Sequence, residues 1–156
     1  MPNYFLDTSA LAKLYHQEAG SEYVDRVISE PGSRCTISRL SIVEMESVFT
    51  IKVRTGEIGE AQAEVAKRSF RADLSQGRLV LGPLVSESQF QRARALLAKF
   101  AVAEGLRTLD AIQLAVGLEL KDSDQTTILV AADQTLCRVA QRAGCPAVNP
   151  EDQSTF

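Results

Sequence analysis

The stretch "YFLDTSAL", residues 4–11, decides the fold. An apolar run of strand length ends on Asp7, and two hydroxyl residues, Thr8 and Ser9, open the segment that follows. Asp7 can cap the next helix, which is a common role for aspartate at that position. It can also be the first of several carboxylates that hold a metal at one edge of a sheet. Both interpretations place Asp7 at the carboxyl end of a buried strand.

Four more short apolar runs, bounded like the first, follow along the chain at residues 35–37, 79–81, 128–132 and 147–148. Amphipathic segments of helical length lie between them, at residues 9–16, 21–29, 41–54, 60–75, 86–104, 108–120 and 134–143. This alternation predicts a three-layer α/β/α sandwich around a mainly parallel sheet. In such a fold, strand carboxyl ends and the following helix amino ends share one edge, where ligands bind.

Composition indicates an ordinary globular protein, with 45% hydrophobic and 24% charged residues among 156. We expect one domain over residues 1–150, with residues 151–156 fraying as a tail.

Asp7 interrupts any amino-terminal leader, and no apolar run is long enough to span a bilayer, so we expect a cytoplasmic protein. A net charge of −3 disfavours a bulk nucleic-acid binder, but it allows an enzyme that meets phosphate through a bound cation. Three unevenly spaced cysteines and one histidine disfavour a zinc site.

Four acidic residues are predicted to meet at the ligand-binding edge. Asp7 and Asp133 each end an apolar run, while Glu44 and Asp110 lie in or near the first turn of a helix. Glu46 is close to Glu44, but it lies nearer the polar arc of its helix, so Glu44 is the better candidate for the inward position.

Each of these acids also has a purely structural interpretation. Asp7 and Asp133 can act as N-caps, and Ser41 with Glu44 fits the S-x-x-E capping box. Thr108 can cap the helix that carries the third acid. The hydroxyl residues already satisfy the caps, however, so the carboxylates exceed that need. Two carboxylates ~4 Å apart repel by roughly 4 kcal/mol at an effective dielectric constant near 20, and a divalent cation such as Mg²⁺ or Mn²⁺ reverses the sign. The pattern therefore favours a metal site.

Four segments together resemble PIN-domain ribonucleases, most closely the small VapC-type toxins of toxin–antitoxin pairs. The segments are "FLDTSALAKLY", "TISRLSIVEMESV", "LRTLDAIQLAVGLEL" and "ILVAADQTLCRVAQRAG", and they stand in the family's order and spacing. The resemblance covers nearly the whole chain, and its first and third segments are the more specific.

The resemblance implies an endoribonuclease that depends on Mg²⁺ or Mn²⁺, with its catalytic and metal-binding acids at Asp7, Glu44, Asp110 and Asp133. Ser9, rather than Thr8, matches the hydroxyl that assists the first acid. Two departures concern the second half of the cluster: Ala131 replaces a frequent Ser or Thr, and Asn149 stands where some members place a further Asp.

The resemblance also implies an RNA substrate, a small antitoxin protein as partner and a homodimer. Lys13, Arg39 and Arg107 flank the acids in sequence and are candidates for phosphate contacts, with Arg107 the best placed. Two predicted helices carry apolar stripes, Ala63, Ala66 and Phe70 on one and Phe90, Leu97 and Phe100 on the other. Either stripe can pack in the chain's own core, form a dimer seam or receive the antitoxin.

Two other classes of function were compared with this one. A haloacid-dehalogenase-like phosphatase needs an Asp where Ser9 stands, and a receiver domain needs a late-strand Lys that "LVAAD" does not supply. A PIN-like module that binds RNA or protein without catalysis is the third class, and the presence of all four acids disfavours it.

Overall fold

The computed structural model describes residues 1–153, and its five strands form one sheet. The strands are Asn3–Leu6 (β1), Arg34–Ile37 (β2), Val80–Leu81 (β3), Thr127–Val130 (β4) and Ala147–Val148 (β5). The α-helices are Thr8–Leu11 (α1), Ser21–Ser29 (α2), Leu40–Arg54 (α3), Glu60–Ser75 (α4), Glu87–Glu104 (α5), Thr108–Ser123 (α6) and Gln134–Arg142 (α7). Two 3-10 helices, Ala12–Leu14 and Pro150–Gln153, complete these elements.

The strand order is β3-β2-β1-β4-β5, and every described pairing is parallel. The chain builds one half of the sheet outward from β1 and then crosses to build the other half from β4. The order therefore reverses between β1 and β4, which is the position where open parallel sheets bind ligands. Leu6, the last residue of β1, pairs with Ile37 on one side and Val130 on the other, so the three strands end together.

Two hydrophobic cores lie on opposite faces of the sheet, because side chains alternate along each strand. In β1, Tyr4 and Leu6 face the core beneath α1–α4, and Phe5 faces the core beneath α5–α7. This confirms the predicted three-layer α/β/α sandwich. Helix α6 approaches the sheet especially closely at Gly117, where an added Cβ would lie 2.9 Å from Cδ1 of Phe5.

The structure corrects the predicted helix over residues 9–16. The α-helical part ends at Leu11 and continues as the 3-10 turn Ala12–Leu14. The Ser21 hydroxyl donates to the carbonyl oxygen of Lys13 at 2.8 Å, so that oxygen serves a tertiary contact instead of a longer helix.

Residues 151–156 were expected to fray as a tail, but residues 151–153 belong to the 3-10 helix Pro150–Gln153. Residues 154–156 lie outside the described part of the chain. Asn149 accepts a hydrogen bond from the backbone N–H of Glu151 at 2.9 Å, which helps to start this turn.

The two apolar stripes differ in their surroundings. Ala63, Ala66 and Phe70 are buried in the chain's own core. On α5, Phe100 is buried whereas Phe90 is 45% exposed. Within residues 1–153, none of the helices combines the length and the apolar character needed to cross a bilayer.

Candidate metal centre

A cavity of about 470 Å³ opens where the carboxyl ends of the strands meet the amino ends of α3 and α6. Three of the four predicted acids, Glu44, Asp110 and Asp133, line this cavity together with Arg107. Asp7 is only 6% exposed, and its carboxylate interacts electrostatically with Glu44 and Asp110. The fold therefore brings four acids that are distant in sequence to one edge of the sheet.

Asp7 is held by Ser9. The Ser9 hydroxyl donates to Oδ2 of Asp7 at 2.6 Å, and the Ser9 backbone N–H donates to the same oxygen at 3.1 Å. The Ser9 oxygen also accepts from the backbone N–H of Ala132 at 3.0 Å, which ties the end of β1 to the segment after β4. Of the two hydroxyl residues, Ser9 is therefore the one that hydrogen-bonds to Asp7.

Thr8 serves a different acid. Its hydroxyl donates to Oε1 of Glu44 at 3.0 Å and lies 2.9 Å from the hydroxyl of Ser41. Gln113, from α6, donates its Nε2 to the same Glu44 oxygen at 2.6 Å. Glu44 is therefore fixed by groups from two other helices, α1 and α6.

The capping interpretations are correct for two of the acids. Asp7 caps α1 through Ser9, and Oδ1 of Asp133 accepts from the backbone N–H of Leu136 at 3.0 Å to cap α7. The expected Ser41–Glu44 capping box is not formed, because α3 begins at Leu40. Likewise, no Thr108 side-chain cap precedes α6, whose N-cap residue is Arg107.

Capping and ligand binding are compatible here, because the described hydrogen bonds use one oxygen of each carboxylate. Within residues 1–153 these bonds engage Oδ2 of Asp7, Oε1 of Glu44 and Oδ1 of Asp133. The second oxygen of each of these three groups is left for a ligand.

Burial and crowding raise the pKa of the acids that lie deepest. Burial is the larger cause for Asp7 and, with the negative charges of Glu44 and Asp110, raises its pKa to about 6, although the Ser9 hydrogen bonds act in the opposite direction. Burial also raises the pKa of Asp110, helped by the charges of Asp133 and Glu44 and opposed by Arg107. The ionised carboxylates are therefore destabilised at this site, chiefly by burial and to a smaller extent by one another.

The four acids suit a hard divalent cation, because they offer only oxygen ligands. Within residues 1–153, no three of them have oxygens that all lie within 4.8 Å of one another.

A tighter group of potential ligands lies elsewhere, formed by His16, Glu18 and Glu57. The ammonium group of Lys52 already occupies it, at 2.9 Å from Nδ1 of His16, 3.2 Å from Glu18 and 2.6 Å from Glu57. His16 is therefore part of an ion-pair network, and this group does not compete as the metal centre.

The three predicted phosphate contacts lie in different places. Arg107 is exposed and lines the cavity. Arg39 is exposed at the start of α3 and donates its Nε to the carbonyl oxygen of Gly82 at 3.3 Å. Lys13 is not at the cavity surface: it is 4% exposed, and its Nζ bonds Glu18 at 3.2 Å and Glu151 at 2.9 Å.

Sequence reasoning missed Gln113, which contacts three polar groups of the site. Its Nε2 lies 3.1 Å from the Thr8 hydroxyl, 3.0 Å from the Ser41 hydroxyl and 2.6 Å from Glu44. The available signal was a polar residue three positions after Asp110, within a run of buried apolar residues on α6. Positions i and i+3 share a helix face, so Gln113 points to the same edge of the sheet as Asp110.

Comparison with known proteins gives one family match, to the PIN domain family over residues 4–142. No curated protein sequence matches significantly.

PAE2754 from Pyrobaculum aerophilum is similar in structure at 23% identity, with a TM-score of 0.56, over 94% of this chain and 84% of that one. VapBC2 from Rickettsia felis, solved bound to a DNA fragment from its promoter, is 15% identical with a TM-score of 0.65, over 94% and 98% of the two chains. VapC20 from Mycobacterium tuberculosis, a sarcin–ricin loop cleaving toxin, is 19% identical with a TM-score of 0.63, over 94% and 99%. At these identities the solved structures indicate a shared fold.

Proposed function

Because the chain belongs to the PIN domain family, we propose that it is a Mg²⁺- or Mn²⁺-dependent endoribonuclease and the toxin of a toxin–antitoxin pair. The observation that carries this proposal is the convergence of Asp7, Glu44, Asp110 and Asp133 around one cavity edge. Burial and, as the smaller cause, repulsion from Glu44 and Asp110 raise the pKa of Asp7, and carboxylates perturbed in this way cluster at functional sites. A cation would convert this repulsion into binding energy.

Each acid has a distinct proposed role. Asp7, Glu44 and Asp110 hold or orient the cation, and Asp133 contributes directly or through a water molecule. A divalent cation bound there lowers the pKa of a coordinated water and neutralises charge on the scissile phosphate. Besides its part in holding the cation, Glu44 assists removal of the proton from the attacking water.

The proposed reaction is hydrolysis of a phosphodiester bond by in-line attack of water on phosphorus. The bond between phosphorus and the 3′ oxygen breaks, which leaves a 5′-phosphate and a 3′-hydroxyl. Arg107, exposed at the cavity, pairs with a phosphate of the RNA. His16 takes no part, because it lies in the Lys52 ion-pair network.

The similar structures support a proposal for the biological setting. Several contain a toxin together with its antitoxin, including VapBC-1 from Haemophilus influenzae and a toxin–antitoxin complex from Klebsiella pneumoniae. We therefore propose a small antitoxin protein as partner, a homodimer as the assembled form and the cytoplasm as the location of this single-domain protein. Phe90, 45% exposed on α5, is an apolar residue available for such contacts.

A pair of measurements on the purified protein tests the proposal. Mn²⁺ and Mg²⁺ binding is measured by calorimetry, and cleavage of a structured RNA is followed with either metal or with EDTA. We expect binding and cleavage for the wild type and the loss of both in Asp7→Asn and Asp110→Asn. Asp25→Asn, which changes an exposed acid on α2, is the matched control and should behave as wild type.

Unchanged cleavage in EDTA or in Asp7→Asn would refute the catalytic assignment. If metal binds with no cleavage of any RNA tested, the result favours a PIN-like module that binds RNA or protein without catalysis.

A further inference from the structure

Gln113 is a buried amide at the centre of the polar network behind the cavity. It is 1% exposed, yet its Nε2 faces three oxygens: Thr8 Oγ1, Ser41 Oγ and Glu44 Oε1. The shortest of these contacts, 2.6 Å, is to the carboxylate. Hydrogen bonds to an ionised acceptor are short and strong, so the Gln113–Glu44 contact dominates the network.

The orientation of this amide is set by Glu44. In the alternative orientation Oε1 of Gln113 would face the carboxylate oxygen, and two acceptors would repel each other. In the observed orientation Oε1 of Gln113 is the one buried side-chain oxygen or nitrogen in residues 1–153 without a hydrogen-bond partner. Leaving a buried carbonyl oxygen without a hydrogen-bond partner lowers the free energy of unfolding. Packing alone therefore does not explain why a glutamine, Gln113, occupies this buried position.

The donors also determine which oxygen of Glu44 stays available. The hydroxyl of Thr8 and the amide of Gln113 both donate to Oε1. The Ser41 hydroxyl, 2.9 Å from Thr8, can then donate to Thr8, whose own proton is used by Glu44. Every group in the network therefore acts on one oxygen of Glu44, and Oε2 accepts no described hydrogen bond.

We propose that Gln113 is a positioning residue that fixes Glu44 so that a single carboxylate oxygen, Oε2, is presented to the cation. This inference rests on the proposed function, because it assigns Glu44 to the metal. Gln113 touches neither substrate nor cation in this role and acts only through Glu44. Groups that orient a metal ligand in this manner typically change metal affinity by roughly ten- to a hundredfold when they are removed.

The test compares two buried glutamines with one substitution. Gln113→Met removes the donor at similar volume. Gln89→Met removes another buried amide on α5, where Gln89 is 4% exposed, donates to Glu119 and accepts from Ser86 in the cap of that helix. Mn²⁺ affinity is measured by electron paramagnetic resonance, which counts free Mn²⁺, and stability by urea unfolding. We expect Gln113→Met to weaken Mn²⁺ binding roughly ten- to a hundredfold, and Gln89→Met to leave it unchanged.

A double-mutant cycle shows whether the effect passes through Glu44. In a Glu44→Gln background, Gln113→Met should cause no further loss of Mn²⁺ affinity. If Gln113→Met does not fold, Gln113→Asn keeps an amide but withdraws it by one methylene, with Gln89→Asn as its control. The same loss of affinity is expected.

Three results would overturn the proposal. Wild-type Mn²⁺ affinity of Gln113→Met, whatever the change in its stability, would show that Gln113 is only a core residue. An undiminished loss in the Glu44→Gln background would show that Gln113 does not act through Glu44. If the wild type itself binds no Mn²⁺, the proposed function fails, and this inference fails with it.

Discussion

The hydroxyl group of Ser9 joins the Asp7 carboxylate to the segment that follows β4. It donates to Oδ2 of Asp7 at 2.6 Å while it accepts from the backbone N–H of Ala132 at 3.0 Å. The Ser9 side chain therefore positions Asp7 and links the segments that follow β1 and β4, the two strands between which the sheet order reverses.

Ser9→Ala should destabilise the protein by about 1–3 kcal/mol, because it leaves the Ala132 N–H without its partner and removes a donor from Asp7. Urea unfolding in EDTA measures this change. Ser75→Ala is the control, since the Ser75 hydroxyl is exposed and bonds only the carbonyl of Ala72 within its own helix. Equal stability of Ser9→Ala and the wild type would contradict the bridging role.

Stability of the metal-free protein should depend on the ionisation of Asp7. Folding raises the pKa of Asp7 from 3.8 to about 6, so its stabilising contribution is fully present below the unfolded pKa and is lost as pH rises through about 6. Asp7→Asn removes this titration. The difference in unfolding free energy between Asp7→Asn and wild type should therefore change with pH. It should favour Asp7→Asn by about 2–3 kcal/mol more at about pH 8 than at about pH 4.

Urea unfolding in EDTA across this pH range measures that difference, with the exposed Asp25→Asn as control. A difference between Asp7→Asn and wild type that does not vary with pH would show that neither burial nor neighbouring charge raises the pKa of Asp7 in the folded protein.

Divalent metal should stabilise the folded protein by mass action. At a free Mn²⁺ concentration about a hundredfold above the dissociation constant, the unfolding free energy rises by about 2.7 kcal/mol, which is roughly 5–10 °C in melting temperature for a chain of this size. Calorimetric or fluorescence melting measures the shift, and Asp7→Asn should abolish it. If millimolar Mn²⁺ or Mg²⁺ produces no shift, the four carboxylates do not form a divalent-metal site, and Asp7 and Asp133 act as helix caps alone.

Arg107→Ala should raise KM for RNA, because Arg107 is exposed at the cavity. Loss of one phosphate contact should also reduce the slope of log affinity against log salt by about one. Arg94→Ala, an exposed arginine on α5, is the control for loss of charge. Lys13→Met should leave KM unchanged and lower stability instead, since Lys13 is buried in ion pairs. A raised KM in Lys13→Met with normal KM in Arg107→Ala would reverse these assignments.

Gly117→Ala should destabilise the protein by roughly 1–3 kcal/mol, because the new methyl group would lie 2.9 Å from Cδ1 of Phe5. Urea unfolding measures the effect. Gly59→Ala is the control, since a Cβ there meets nothing closer than a side-chain oxygen of Gln62 at 3.8 Å. Wild-type stability of Gly117→Ala would mean that α6 can move away from β1.

The sheet and the acid cluster were predictable because local patterns determine them. The apolar run ending at Asp7 and the similar run ending at Asp133 each have the length and burial of a central strand. Parallel pairing then places the ends of both strands, and the helices that follow, at one edge.

The features that the sequence did not reveal depend on contacts between distant residues. In the sequence, Lys13 resembles a surface lysine. Its ion pair with Glu151, 138 positions away, is visible only in the folded structure. The S-x-x-E pattern at Ser41 indicated a capping box, but Ser38 bonds the backbone N–H of Leu40 and starts the helix earlier. Gln113 was overlooked because its three partners come from two other helices.

Lys52 lies among His16, Glu18 and Glu57, whereas the acids at the cavity have no such lysine in their described contacts. The two groups of anionic side chains therefore differ in the source of their positive charge. In the Lys52 group the positive charge belongs to a side chain, so it is present whatever ions the solution contains. Among the described residues that line the cavity, Arg107 is the one cationic side chain. Under the proposed function, a cation from solution supplies the remaining positive charge. If that proposal holds, the ionic composition of the medium should alter the stability of the acid cluster at the cavity far more than that of the Lys52 group.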